Sequence, residues 1–144
     1  MGIGTRTAAL LFAIALFLAA ARLGAESDVV VVVSRESAVT ALTREQVADL
    51  FLGKLSRFPG GVKAAPIDQP EGSAVRDAFY SEFAGKSAAQ VKAHWSKIIF
   101  TGRGQPPPEV ADGKAALLRL AGDPAAVAYL QRSLVDDSVR IVAE

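Results

Sequence analysis

Five consecutive valines, Val29 to Val33, end at Ser34. A β-branched run of this kind is too short for a typical helix and reads as a strand. Successive strand side chains point to opposite faces, so both faces of this one are apolar. It needs a covering layer on each side, as in a parallel sheet.

The segments that follow supply those layers. Thr43 is a good helix N-cap, and Gln46 three positions later completes a capping-box pattern. Val47, Leu50 and Phe51 then fall on one face, and Gly53 suits the left-handed position past a helix end. Pro59-Gly60-Gly61 is a turn, and Val62 to Ile67 is expected to be a short strand. Pro66 marks that strand as an edge, or as one that ends early. A helix from Ser73 places Val75, Phe79 and Phe83 on one stripe and stops at Gly85. Ser87 caps the next, whose apolar face is Val91, Trp95, Ile98 and Ile99. Thr101 to Pro108 holds three successive prolines and cannot be helical. A helix is expected from about Glu109 to Leu120, broken by Gly122-Asp123-Pro124. Ala126 to Leu130 and Val139 to Val142 read as strands, with Asp136-Asp137-Ser138 turning between them. Strands alternating with helices predict a three-layer α/β sandwich with a mixed sheet.

The N-terminus has the pattern of a targeting segment. Arg6 gives a positive start, Ala8 to Ala21 is uninterrupted and apolar, and Ala25 is a small residue before a cut. Its apolar run is shorter than the roughly 20 residues that span a bilayer. The expected division is a signal peptide, residues 1–25, and one exported domain, residues 26–144; an uncleaved membrane anchor is the competing reading. Removing Arg6 and Arg22 takes the 16 basic residues to 14 against 15 acidic ones, a formal charge of −1. No strongly basic surface is left to suggest nucleic acid. Zero cysteines exclude a disulfide framework and thiolate metal sites, so packing alone must hold the domain.

The chemistry-bearing residues concentrate at one helix start. Gly72 shapes the turn, Ser73 brings a hydroxyl and Arg76 a charge in the first turn. Helix starts leave backbone N–H groups unbonded and carry the positive end of the helix dipole, and both favour an anion. An ordinary capped helix explains the same residues, with Ser73 as the cap and Arg76 paired to a surface acid such as Asp77 or Glu71. Ser34, Arg35 and Ser37 follow the first strand at its carboxyl end, where ligands gather in open α/β sheets. A solvated loop is the competing reading. Thr101 to Gly104 is either a contact loop or a rigid corner. His94 is the single histidine and has no second ligand nearby in sequence, so it reads as a surface or rim residue. No Gly-x-Ser-x-Gly elbow occurs, and Asp136-Asp137 reads as a turn rather than a carboxylate pair. No acid, base and nucleophile set points to an enzyme, and no cofactor is implied.

Two motifs carry a family resemblance. Leu42, Thr43, Gln46, Val47, Leu50, Phe51, Gly53 and Lys54 form one. Gly72, Ser73, Arg76, Asp77 and Phe79 form the other. In this order the chain resembles the phosphate-binding proteins of bacterial ABC transporters, over most of its length after residue 28. There the second motif reads Gly-Ser-Gly-Thr-Arg-Asp-x-Phe; Ala74 and Val75 replace its Gly-Thr, removing a hydroxyl and a flexible position. Pro124 to Leu130 is similar to that family's Pro-x-Ala-Ile-Gly-Tyr strand, with Tyr129 in register and Ala128 in place of Gly. Trp95, Ser96, Lys97, Phe100, Thr101, Gly102, Gly104, Pro106 and Pro107 resemble a hallmark of short secreted relatives. The resemblance implies one lobe of a type II periplasmic-binding-protein fold. It implies phosphate or a similar oxyanion held at Gly72, Ser73, Ala74, Val75 and Arg76, with Ser34, Ser37 and Thr101 as secondary candidates. The implied partners are an ABC transporter permease or an envelope sensor. A second copy would supply the absent lobe. The alternative function is an envelope interaction module that kept the lobe fold and lost ligand binding.

Overall fold

The computed structural model describes residues 28–144; the expected signal peptide, residues 1–25, lies outside the described residues. Val29–Ser34 forms β1, buried along its whole length. It is an interior strand. On one side it pairs antiparallel with β3 (Ala126–Gln131), in the register Val29 to Gln131 and Val33 to Val127. On the other it pairs antiparallel with β4 (Val139–Ala143). A two-residue edge strand, β2 (Ala65–Pro66), runs parallel to β3 and completes the order β2-β3-β1-β4. The sheet is mixed, as expected. The valine run pairs antiparallel on both sides, however, which corrects the parallel-sheet reading: its burial comes from helices on both faces.

Alternation along the valines assigns the layers. Val29, Val31 and Val33 pack with α1 (Arg44–Phe51), α2 (Ala74–Phe79) and α3 (Ala88–Phe100), through Phe51, Phe79 and Trp95 among others. Val30 and Val32 face the other way, toward Ala116 and Leu120 of α4 (Gly113–Ala121). The result is a three-layer α/β sandwich.

The helix starts follow their caps. Thr43 and Ser87 each close a full capping box, with Gln46 and Gln90. Ser73 Oγ accepts from Arg76 N–H at 3.4 Å. α2 runs on into a π-helical turn, Tyr80–Ala84, ended by Gly85 at φ +61°. Two expected elements are shorter than read. The strand expected over residues 62–67 keeps only Ala65–Pro66; Ala65 and Ile67 N–H donate to Ala125 O and Val127 O on the β3 side, and Pro66, which has no donor, turns its nitrogen to the open edge. The helix expected from Glu109 begins at Gly113, capped by Asp112. The residues before it are already used: Pro108 O accepts from Asp68 N–H and Val110 N–H donates to Asp68 O, both at 2.9 Å.

Gly53 has φ +75°, and a Cβ there would come within 2.7 Å of Trp95 Cη2. Gly53→Ala is therefore expected to cost roughly 2–4 kcal/mol, from left-handed backbone strain plus overpacking. Urea unfolding measures this, and an unchanged midpoint would show that the indole has room to retreat.

Candidate functional site

The turn that precedes α2 is built by Gly72 at φ +89° and by Ser73 N–H donating to Pro70 O at 3.0 Å. Ser73 then caps the helix. Asp77 N–H returns to Ser73 O, while Ala74 and Val75 N–H take no partner among the described residues. This helix start lies where β1 begins and β3 ends. A shallow cleft of about 200 Å³ opens there, lined by Asp28, Val29, Ala74, Val75, Ala78 and Gln131. Val75 presents methyl groups to it where the related motif has a hydroxyl. Gly72 to Arg76 thus form one continuous turn.

Arg76 does not point outward to Asp77 or Glu71. It is buried, 8% exposed, with Nε 3.4 Å from Asp68 Oδ1 and the guanidinium 5.2 Å from the Tyr80 ring centre. Glu71 pairs instead with Lys92, at 3.1 Å on the exposed surface. Burial alone would pull the Arg76 pKa down; the Asp68 carboxylate more than offsets it and holds the pKa above its ordinary value.

Asp68 is the hub that the sequence reading missed. Its carboxylate is 2% exposed and follows directly on the buried Ile67. Tyr80 Oη donates to Oδ2 at 2.6 Å, and Tyr129 Oη donates to Oδ1. Gln69 N–H also donates to Oδ1, at 2.9 Å, while the Gln69 side-chain amide donates to Tyr129 O at 2.9 Å. Burial, then the charge of Asp68, pushes both tyrosine hydroxyls well above their ordinary pKa. Phe79 stacks on Tyr129 at 4.0 Å and meets Phe51 edge-on at 4.8 Å, walling the network off from water. The network ties the end of β2, the helix α2 and the strand β3 together, and so fixes where the Ser73 turn sits.

The secondary candidates lie elsewhere. Ser34 and Ser37 are at the opposite end of β1 from the cleft. Each hydroxyl accepts a local backbone N–H, from Glu36 and Val39 respectively, at 3.2 Å. Arg140 braces that loop by donating to Ser37 O at 3.2 Å and Val39 O at 3.1 Å. Thr101 ends α3, nine residues beyond the Lys92 that reaches Glu71, or about 14 Å further along the helix axis. Its hydroxyl donates back to Lys97 O at 2.9 Å. His94 is a rim residue whose Nε2 lies 2.8 Å from Leu52 O; a carbonyl only accepts, so that nitrogen carries the proton. Among the described residues no acidic or histidine cluster could hold a metal ion, and no helix is long and apolar enough to cross a membrane.

No family model matches the chain, and no curated protein matches it. Solved structures do. One is a protein described as a phosphate ABC transporter substrate-binding protein, with bound phosphate, from Clostridium perfringens. It shares 24% identity at TM-score 0.63, with 80% of this chain and 44% of that one covered. An ABC-type phosphate transport receptor from Vibrio cholerae matches at 20% identity and TM-score 0.63, covering 80% of this chain and 45% of that one. PstS from Borrelia burgdorferi matches at 14% identity and TM-score 0.61, covering 81% and 46%. The chain spans less than half the length of each of the three. Its architecture is that of one lobe of the phosphate ABC transporter substrate-binding proteins.

Proposed function

We propose that the chain is an exported, non-catalytic binding protein that takes phosphate or a similar small oxyanion at the start of α2. The observation that carries this reading is the pair of N–H groups without partners among the described residues on Ala74 and Val75, residues that line the cleft and follow directly on the Ser73 hydroxyl. Ser73 accepts a cap hydrogen bond, which leaves its O–H free to donate to a ligand. The bound phosphate in the similar Clostridium perfringens protein supports the ligand class. Export follows from the proposed signal peptide, residues 1–25, and the periplasm is the proposed destination. An ABC transporter permease or an envelope sensor is the proposed recipient.

Binding should be weak. Arg76 is already neutralised by Asp68, and Val75 offers no hydroxyl. A dissociation constant of roughly micromolar to millimolar is expected. The Arg76–Asp68 pair also favours a second reading, an interaction module that kept the lobe and lost the ligand.

Calorimetric titration of phosphate and of sulfate separates the two. Weak heat in the wild type that vanishes in Ser73→Ala supports the receptor. Val75→Thr, which adds a donor at the cleft, should tighten binding about tenfold, as one further hydrogen bond to a charged ligand does. No heat from either protein at millimolar anion leaves the module reading. Binding that ignores both substitutions places the anion elsewhere.

A further inference from the structure

The last turn of α3 breaks the pattern of the rest of the helix. Val91 and Trp95 are buried, but Ile99 is 46% exposed and Phe100 is 92% exposed. This is not a frayed end. Thr101 N–H returns to Lys97 O at 3.1 Å, Gly102 N–H to Ile99 O at 3.1 Å and Arg103 N–H to Ile98 O at 3.0 Å. Gly102 takes the left-handed conformation, φ +68°, that closes a helix. Three prolines, Pro106 to Pro108, follow and stiffen the return path. The chain thus holds a large apolar side chain out into water on an ordered backbone.

The charges around it have one sign. Residues 87–108 contain Lys92, Lys97 and Arg103 and no aspartate or glutamate. Lys92 is paired with Glu71, but Lys97 and Arg103 form no ion pair among the described residues. Lys97, three residues before Phe100, lies on the same side of the helix.

We propose that the end of α3 is a docking surface for a protein partner that offers an apolar pocket rimmed by carboxylates, with Phe100 inserted and Lys97 and Arg103 beside it. Exposed aromatics with arginine are the residues that interface cores favour. An ordered backbone also lowers the entropy lost on binding. Charge selects among occupants. A second copy docking by the same patch would set Lys97 and Arg103 against themselves, as a two-fold interface requires. A lipid surface wants a broad apolar helix face, and here only one side chain is fully exposed. Another highly exposed apolar residue, Leu118 at 78%, is on α4, against the opposite face of the sheet. The surface is independent of the oxyanion reading and serves either function.

The test replaces Phe100 by the photo-crosslinker p-benzoylphenylalanine in the full chain, in the cells it comes from, with Leu118 replaced as the control. The expected result is an adduct with a different protein from position 100 alone. That protein, purified, should bind the wild type with an affinity that falls about tenfold or more in Phe100→Ala. Lys97→Glu with Arg103→Glu should weaken it similarly at low salt, the difference shrinking at high salt. All three residues are exposed, so the variants should unfold at the wild-type urea midpoint. Vesicles of phosphatidylglycerol are the competing probe. The proposal is overturned by an adduct only with a second copy, by Phe100-dependent vesicle binding, by no adduct at position 100, or by partner binding that ignores both sets of substitutions.

Discussion

Asp68→Ala is expected to remove about 3–5 kcal/mol of folding stability, the usual cost of deleting one member of a buried, hydrogen-bonded charge pair. The substitution strands three groups at once. Arg76 keeps its charge in a site only 8% exposed, and the hydroxyls of Tyr80 and Tyr129 lose their acceptor. With total stabilities of about 5–15 kcal/mol for such domains, the variant would be marginal. In urea the midpoint should fall by roughly 2 M, for a slope near 2 kcal/mol per M. Asp68→Asn keeps an acceptor for the tyrosines and should lose less. Arg76→Met removes the stranded charge, so the Asp68→Ala, Arg76→Met pair should cost less than the two single changes added together. An Asp68→Ala midpoint equal to wild type would show that the carboxylate is solvated and the network unformed.

Alkali should unfold the protein in one step that also releases both tyrosines. Tyr80 and Tyr129 are the only tyrosines in the chain, so ultraviolet absorbance of phenolate reports on this network alone. Their folded pKa values lie above the ordinary value of 10.0. A raised folded pKa means a contribution fully present below the unfolded value and lost as pH climbs beyond it. Stability should therefore be unaffected by the tyrosines up to about pH 10. It should then fall by up to about 1.4 kcal/mol per tyrosine for each further pH unit. Phenolate absorbance and loss of helical circular dichroism should rise together. Phenolate appearing near pH 10 in a still-folded protein would contradict the burial and the bond to Asp68.

The elements that were legible in the sequence are those written locally. Thr43, Ser73 and Ser87 cap helices where hydroxyl and spacing said they would, and the valine run is the strand it resembled. The Gly72 to Arg76 turn was legible for the same reason, since a cap is a matter of neighbours. The direction of the Arg76 side chain was not. Its partner Asp68 lies eight residues back in a segment, Asp68-Gln69-Pro70-Glu71, that reads as a polar turn. The carboxylate is buried because Tyr129, 61 residues away, closes over it. A clue existed: two tyrosines amid apolar neighbours need acceptors for their hydroxyls when buried. The first acid after a strand is where to look. The helix expected from Glu109 failed for the same kind of reason, because residues 108–110 make backbone bonds to Asp68 that no local pattern announces.

The register of β1 bears on how the chain comes into being. Five valines in a row make an adhesive segment with strong β propensity and no charge. Their partners are β3 and β4, residues 126–143, so β1 can form no ladder until those residues have been made. During synthesis β1 waits, unpaired, for β3 and β4. Such long sequence separations slow folding and lengthen the interval of exposure. The nascent valine strand is consequently the part of the molecule that a holding chaperone has to shield.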